Sequence, residues 1–442
     1  MKLIIVKFLI IIFFLMYSVC FAKEKILAVV DGKLITEEDL KYFLGMQHFK
    51  KNLPSKTPFK ISVEKYIQKL IDEKLIINEA KKMGIDQDPE VKKAIEDFIL
   101  RESVKKLYDE EIRQKVFVTE KEIKDYYLKK IKKGEILSEE DFQKQKNTIE
   151  KIIRREKEKK RSDEYLACLR SKAKIKINKE LLSSNKTSDK TPLVEVDGDV
   201  LTVEDFIKMA KDSNLSEDEV INLWIDRKLI DKSALSKHYE RNPEFKKVLS
   251  FYKDTLLKNM FIKKVIIPQI RISDQDLEEY YKSHQKDFAK PASYYIQQIT
   301  VKSKKSAEEI LDSLKKGADF SWVAKTKSID ALAEKGGKVG WVTKAELFEP
   351  LKEIIDSMNI GDISPIIEFD SKYIIVKLLD KTDEEIEKFD KVKNLVYNAY
   401  FNEQVDKLLN EYVSKLRKKA KIKIYEKQIK LFVKSLEKSS QK

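Results

Sequence analysis

Scarcity is the first feature of this sequence: its 442 residues include two cysteines, three histidines and ten glycines. One cysteine, Cys20, lies in an N-terminal apolar run, and removal of that run leaves Cys168 alone. No internal disulfide can then form, so ordinary packing must hold the exported chain. His48, His238 and His284 are scattered, and with so little cysteine no metal and no other cofactor is expected. A charge block of one sign is also missing. The 90 Lys and Arg against 75 Asp and Glu leave +15, which taken alone suggests nucleic acid or an acidic membrane surface. Yet "KIIRREKEKKRSDE" and "YDEEIRQK" intersperse the signs, as solvated helix faces with i,i+4 pairs do. Glycine is clustered as well as rare. Three of the ten stand at Gly336, Gly337 and Gly340 in "GGKVGWVTKAELFEP", with Gly317 and Gly361 close on either side.

What is present begins with a leader. Lys2 and Lys7 precede an apolar run from Phe8 to Val19, and Cys20-Phe21-Ala22 follows. This reads as a signal peptide over 1–22, cut after Ala22. A lipoprotein site at Cys20 is disfavoured by the bulk of Val19, and an uncleaved inner-membrane anchor is the alternative. Export implies the periplasm or another extracytoplasmic space, and it sets nucleic acid aside as a partner.

The remainder repeats itself. "VVDGKLITEEDL" (29–40) returns as "EVDGDVLTVEDF" (195–206), and "LIDEKLI" (70–76) as "WIDRKLI" (224–230). An offset of 154 holds through "VTEKEIKDYY" (118–127) and "ISDQDLEEYY" (272–281), then jumps to 247 for "EYLACLRSKAKIKI" (164–177) and "EYVSKLRKKAKIKI" (411–424). The jump means that 93 residues are inserted in the second copy, the size of a small domain. Each copy opens with a hairpin around Asp31-Gly32 or Asp197-Gly198 and ends in a strictly alternating "AKIKI" strand. The expectation is that each copy closes on itself, first strand against last, an exchange of terminal strands between the copies being the alternative. The division is then helical repeat 1 over 23–182, a polar linker at 183–192, and repeat 2 over 193–288 and 383–428. An inserted unit fills 289–382, and a basic C-terminal tail follows at 429–442. The fold class is α+β: two mostly helical repeats, the second interrupted by a compact α+β unit.

Within the insert, "SYYIQQITVK" (293–302) alternates as a strand, "SAEEILDSLKKGADFSWVAKT" (306–326) reads as two helices parted near Gly317, and "ISPIIEF" and "KYIIVKLLD" close as strands. The order Gly-Ala-Asp-Phe, Ser, Gly-Gly-x-x-Gly-Trp and Gly-x-Ile-Ser-Pro resembles the parvulin-type (PpiC) peptidyl-prolyl isomerase, or rotamase, domain. The leader and the helical domain interrupted by such a unit resemble the SurA, PpiD and PrsA chaperone-isomerases. This resemblance implies an apolar proline pocket at Val339, Leu347 and Leu351. It puts Asp330 beside the isomerising bond and Ser371 near the last strand. The family's two site histidines do not carry over, since Gln298 stands at the first-strand position and Ile374 at the last-strand position, as a further pocket residue. Read without the family, Val339, Leu347 and Leu351 are plain core, Asp330 is a cap after Ser328, and Cys168 packs against its helix neighbours. The short run "KSKK" (302–305) is solvent-facing, and phosphopeptide specificity is not expected.

The resulting expectation is an exported folding factor for unfolded or extended proline-containing polypeptides, such as exported or outer-membrane proteins. The alternative is a non-enzymatic holdase or assembly module with a degenerate parvulin unit. Tyr126, Tyr127, Phe251, Tyr252, Tyr280 and Tyr281 are candidates for apolar client contact, more of them core than groove. The basic balance is compatible with acidic clients or association with a phospholipid surface.

Overall fold

The computed structural model describes residues 25–46, 59–131, 139–183, 190–211 and 213–440. The leader at 1–22, the turn around Gly134, His48 and most of the 183–192 linker lie outside the described residues. The strands are β1 Ile26–Val30, β2 Lys33–Thr36, β3 Ile175–Ile177, β4 Pro192–Val196, β5 Asp199–Thr202, β6 Ala289–Lys290, β7 Ser293–Val301, β8 Lys338–Thr343, β9 Ile367–Phe369, β10 Lys372–Thr382, β11 Glu385–Ile386 and β12 Ile422–Ile424. The helices before the insert are α1 Glu37–Met46, α2 Phe59–Lys82, α3 Pro89–Glu111, α4 Glu120–Tyr126, α5 Glu139–Lys172, α6 Val203–Lys211, α7 Glu217–Ser236, α8 Pro243–Phe261 and α9 Asp274–Ser283. After them come α10 Lys304–Lys315, α11 Phe320–Lys327, α12 Glu349–Ile354, α13 Phe389–Lys419 and α14 Glu426–Ser440. Two compact units result, Met1–Val265 with Val413–Lys442, and Ile266–Tyr412.

Helix starts repeat because their caps repeat. Asp88 and Asn242 each accept the amide of the residue two ahead, with Pro89 and Pro243 at the first helical position. Thr119 and Ser273 form capping boxes with Glu122 and Asp276. Both opening hairpins turn through left-handed pairs, Asp31-Gly32 and Asp197-Gly198.

The strand pairing corrects the expected closure. β3, which ends the first repeat, pairs with β4 of the second, and β12, which ends the second, pairs with β1 of the first. The two sheets are therefore β12-β1-β2 and β3-β4-β5, and the repeats exchange their terminal strands. In each sheet the hairpin aspartate receives the incoming strand: Asp31 Oδ1 accepts the Lys421 amide at 2.9 Å, and Asp197 Oδ1 accepts that of Lys174 at 2.8 Å. The two "AKIKI" strands match too closely for side chains to choose a sheet. Chain connectivity chooses: fewer than twenty residues separate β3 from β4, whereas well over a hundred separate β1 from β3. Each doubling of a loop adds about 0.6 kcal/mol of closure cost, so the nearby strand is favoured.

The supposed tail at 429–442 is also corrected. Residues 426–440 form α14, and its Ile429, Phe432 and Val433 are buried with Leu27, Val30, Ile35, Ile67 and Ile71. Periodic apolar residues at i, i+3 and i+4 made that helix a core element.

Of the tyrosines and phenylalanines considered for client contact, Tyr127 and Tyr281 are buried and Tyr126, Phe251, Tyr252 and Tyr280 are part-buried. Tyr127 is fully buried against Phe142, and Tyr252 stacks on Phe98 at 3.9 Å. Phe251 stacks on Tyr42 at 3.6 Å, where α1, α2 and α8 border a cavity of about 400 Å³. Tyr42, Phe43, Leu70, Ile77 and Phe251 give it apolar walls. Two ion pairs stand at its margin, Lys74 with Asp254 at 3.2 Å and Lys258 with Glu73 at 2.5 Å, and Asp39 and Lys69 also line it.

Candidate functional site

The second unit is built on the antiparallel sheet β8-β7-β10-β9. Strand alternation assigns its two faces. Tyr294, Ile296, Gln298 and Thr300 of β7 share a face with Ile374, Val376 and Leu378 of β10, and this face packs on α12 through Leu351. Ile299 and Val301, with Ile375, cover the other face beneath α10 and α11.

On the first face a line of hydrogen bonds crosses from strand to loop. Gln298 Nε2 donates to Thr300 Oγ1 at 3.0 Å, the Thr300 amide donates to Ser328 Oγ at 2.9 Å, and Ser328 Oγ donates to Asp330 Oδ2 at 2.9 Å. Asp330 Oδ1 also accepts the Leu332 amide at 2.9 Å, which turns the chain into the glycine loop. Asp330 therefore caps the turn that follows it rather than a helix after Ser328. The loop closes onto the strand: Gln298 N donates to the Gly337 carbonyl at 2.8 Å, and Gln297 Nε2 donates to Ser321 Oγ and to the Gly336 carbonyl. Gly337 has φ +74°, and a Cβ there would lie 2.3 Å from the Gln298 carbonyl oxygen, so no larger residue fits.

The structure brings most of the expected residues together. Leu347, Leu351 and Ile374 are buried in one cluster with Tyr294, Ile296 and Met358, and half-buried Val339 packs against it. Ile374 stands directly opposite Thr300 in the β10–β7 register. Ser371 is separate from the bonded line. It sits exposed at the Asp370-Ser371 hairpin turn with φ +58°. Thr300 and Ser328 complete the line and were not singled out from the sequence. The signal for Thr300 was polarity: "QQIT" places three polar residues in the inner part of a largely apolar strand.

A second polar cluster holds the segment carrying Leu347 and Leu351. The Tyr294 hydroxyl donates to Asp356 Oδ1, and Lys344 pairs with Asp356 Oδ2. Lys344, followed chiefly by the tyrosine hydroxyl, holds the Asp356 carboxyl below the ordinary aspartate range. Burial and then Asp356 push the Tyr294 phenol up to about 12. Folding thus favours an ionised Asp356, and its contribution is complete above about pH 4 and fades as pH falls through the lower folded value. It equally favours a neutral Tyr294, whose contribution is complete below about pH 10 and is lost as pH rises towards 12. Asp356→Asn should lower the denaturant midpoint of this unit at neutral pH, with the gap to wild type closing below about pH 4. Midpoints followed from pH 7 to strong acid check this; a gap that stays constant throughout would contradict it.

Residues 272–394 match the model of the PPIC-type PPIase domain. By this match, this part of the chain is a parvulin-type domain. The chain is 30% identical over 154 residues to the periplasmic chaperone PpiD of Haemophilus ducreyi, covering 34% of this chain and 24% of that protein. It is 29% identical over 227 residues to the foldase protein PrsA of Clostridium botulinum, covering 49% of this chain and 68% of that one. Against PrsA of a Geobacillus species the figures are 27% over 255 residues, 51% and 90%. The chain thus spans about a quarter of the PpiD relative and from two thirds to nine tenths of the PrsA relatives. Among the described residues no helix is long and apolar enough to cross a membrane.

Proposed function

We propose that this protein is an extracytoplasmic folding factor whose parvulin-type domain receives proline-containing segments of unfolded polypeptides and catalyses rotation about the X-Pro bond. The observation that carries this reading is one juxtaposition. The Gln298–Thr300–Ser328–Asp330 line runs along the sheet face whose apolar cluster contains Val339, Leu347, Leu351 and Ile374. Rotation faces a barrier of roughly 20 kcal/mol and needs no covalent intermediate. A site lowers it by holding the twisted bond more tightly than either planar form, through shape and preorganised polar groups. Half-buried Val339 offers the pyrrolidine an apolar surface, with Leu347 and Leu351 as support beneath it. The Gln298 amide, held by Thr300, is the side-chain hydrogen-bonding group of this face nearest the strand centre. The cavity bordered by Tyr42, Phe43 and Phe251 in the other unit is suited to an apolar side chain of a client, because its walls are apolar and four of its six charged lining groups are paired with each other. The leader and the PpiD and PrsA relatives support the extracytoplasmic location.

A specific observation favours the holdase reading as a second possibility: Ile374 is 5% exposed and apolar, so it contributes no donor where the family places a histidine. Exchange spectroscopy on a proline tetrapeptide, with the full chain added, separates the two. Cis–trans exchange should be faster with the protein, and Gln298→Ala or Asp330→Ala should reduce the acceleration about tenfold or more. Exchange at the background rate, with aggregation of a denatured client still suppressed, would leave only the holdase. Failure of both assays would remove the folding-factor reading altogether.

A further inference from the structure

A second recess lies in the parvulin-type domain, on the sheet face opposite Gln298 and Ile374. It has a volume of about 470 Å³ and runs between α10 and α11. Val301, Ile310 and Val323 form its floor and are at most 6% exposed. Two large apolar side chains stand at its walls with much of their surface in water, Trp322 at 62% and Ile329 at 47%. A half-exposed tryptophan beside a dry-floored recess is the composition of a binding hot spot, and nothing in the fold of this unit requires it there. The surrounding charge is mostly basic. Lys302 and Lys327 line the recess, and Lys304, Lys305 and Lys325 follow within two residues of them or of each other. Among the described residues none of these five forms an ion pair, whereas many other lysines of the chain do. Glu309 is the one acid of the lining; Glu308, Asp312 and Asp330 stand next to lining residues, but Asp312 is paired with Lys316 and Asp330 accepts from Ser328 and the Leu332 amide.

We propose that this recess is a docking site for an acidic polypeptide segment that inserts one apolar side chain between Trp322 and Ile329 and lays its carboxylates against Lys302 and Lys327. The shape selects this occupant over an anionic membrane. Bilayer insertion needs apolar side chains that project, whereas here they flank a hollow of side-chain size. Neither proline nor the Gln298 face takes part, so the site is independent of the isomerase reading. Its use would be to hold a client or partner segment on one side of the domain while the other side is free.

The test uses the full-length chain and a fluorescein-labelled, proline-free peptide, Gly-Asp-Glu-Leu-Phe-Glu-Asp, followed by anisotropy. Saturable binding that weakens as salt rises is expected. Trp322→Ala should weaken it about tenfold or more, and the pair Lys302→Glu with Lys327→Glu should do the same while removing the salt dependence. Gln298→Ala should leave it unchanged. The substituted positions are exposed, and near-ultraviolet circular dichroism checks that the variants are folded. No saturation by about 1 mM peptide would overturn the proposal. So would equal binding of a peptide in which every acid is replaced by lysine, or binding only to phosphatidylglycerol vesicles. Loss of peptide binding in Gln298→Ala but not in Trp322→Ala would place the contact on the proline face instead.

Discussion

Replacing Gly337 by alanine is expected to destabilise the parvulin-type domain by about 3–5 kcal/mol, close to the whole stability of a small unit. Two independent costs add at this residue. Its φ of +74° is one that a side chain adopts only with strain, worth roughly 1–2 kcal/mol. The new Cβ would also fall 2.3 Å from the Gln298 carbonyl oxygen and 3.0 Å from Ala324 Cβ. The first of these is backbone in the central strand, bonded through its own amide to the Gly337 carbonyl, so neither side can yield without breaking that contact. Gly361 is the control. Its φ is +97° but a Cβ there meets nothing within 4 Å, so Gly361→Ala should cost only the strain, about 1–2 kcal/mol. Denaturant melts of both variants, read by near-ultraviolet circular dichroism, give the comparison. Equal midpoints for the two would show that the close approach at Gly337 is not what the domain depends on.

The second large effect should appear at the opposite end of the chain from its cause. Phe432 of α14 is 1% exposed in the cluster that holds β1 and β2, and truncating such a residue typically costs about 3–5 kcal/mol. Phe432→Ala should therefore release amide protection at Leu27–Val30, since β1 is bonded to β12 and packed beneath α14. Leu193–Val196 should keep their protection, because β4 is closed by β3 and packs in a separate cluster with Val203, Phe206 and Ile225. Hydrogen exchange resolved by residue distinguishes the arrangements directly. Were each repeat closed on itself, the loss would fall at Leu193–Val196 and spare Leu27–Val30.

Much of this architecture is local and could be read in advance. Asp-Gly turns, the Asp88-Pro89 and Asn242-Pro243 helix starts, the Thr119 and Ser273 capping boxes and the alternation of "SYYIQQITVK" each satisfy their own backbone groups within a few residues. The Gly336-Gly337 pair likewise announced a place where the chain must turn tightly. The crossing of the terminal strands left no such signal, because "AKIKI" occurs twice and either copy completes either sheet. The α14 helix was missed for a related reason. Its lysines dominate the composition of 429–442, while Ile429, Phe432 and Val433 reveal their face only when a core exists to receive them.

The candidate site divides in the same way. From the sequence alone, the resemblance of the insert to the parvulin family implied which residues would face a bound proline, with Gln298 and Ile374 at the positions where that family carries histidines. Only the tertiary structure decided how these residues are packed and bonded. It placed Thr300 and Ser328 between Gln298 and Asp330, sank Leu351 and Ile374 into the core as support, and set Ser371 apart at an exposed turn. It also placed Trp322, Lys302 and Lys327 around a recess on the far face, neither lysine in an ion pair among the described residues. The physical reason is range. Turns, caps and strand alternation are settled between near neighbours, whereas burial, hydrogen-bond partnership and the choice of a strand's mate depend on groups that the fold alone brings together.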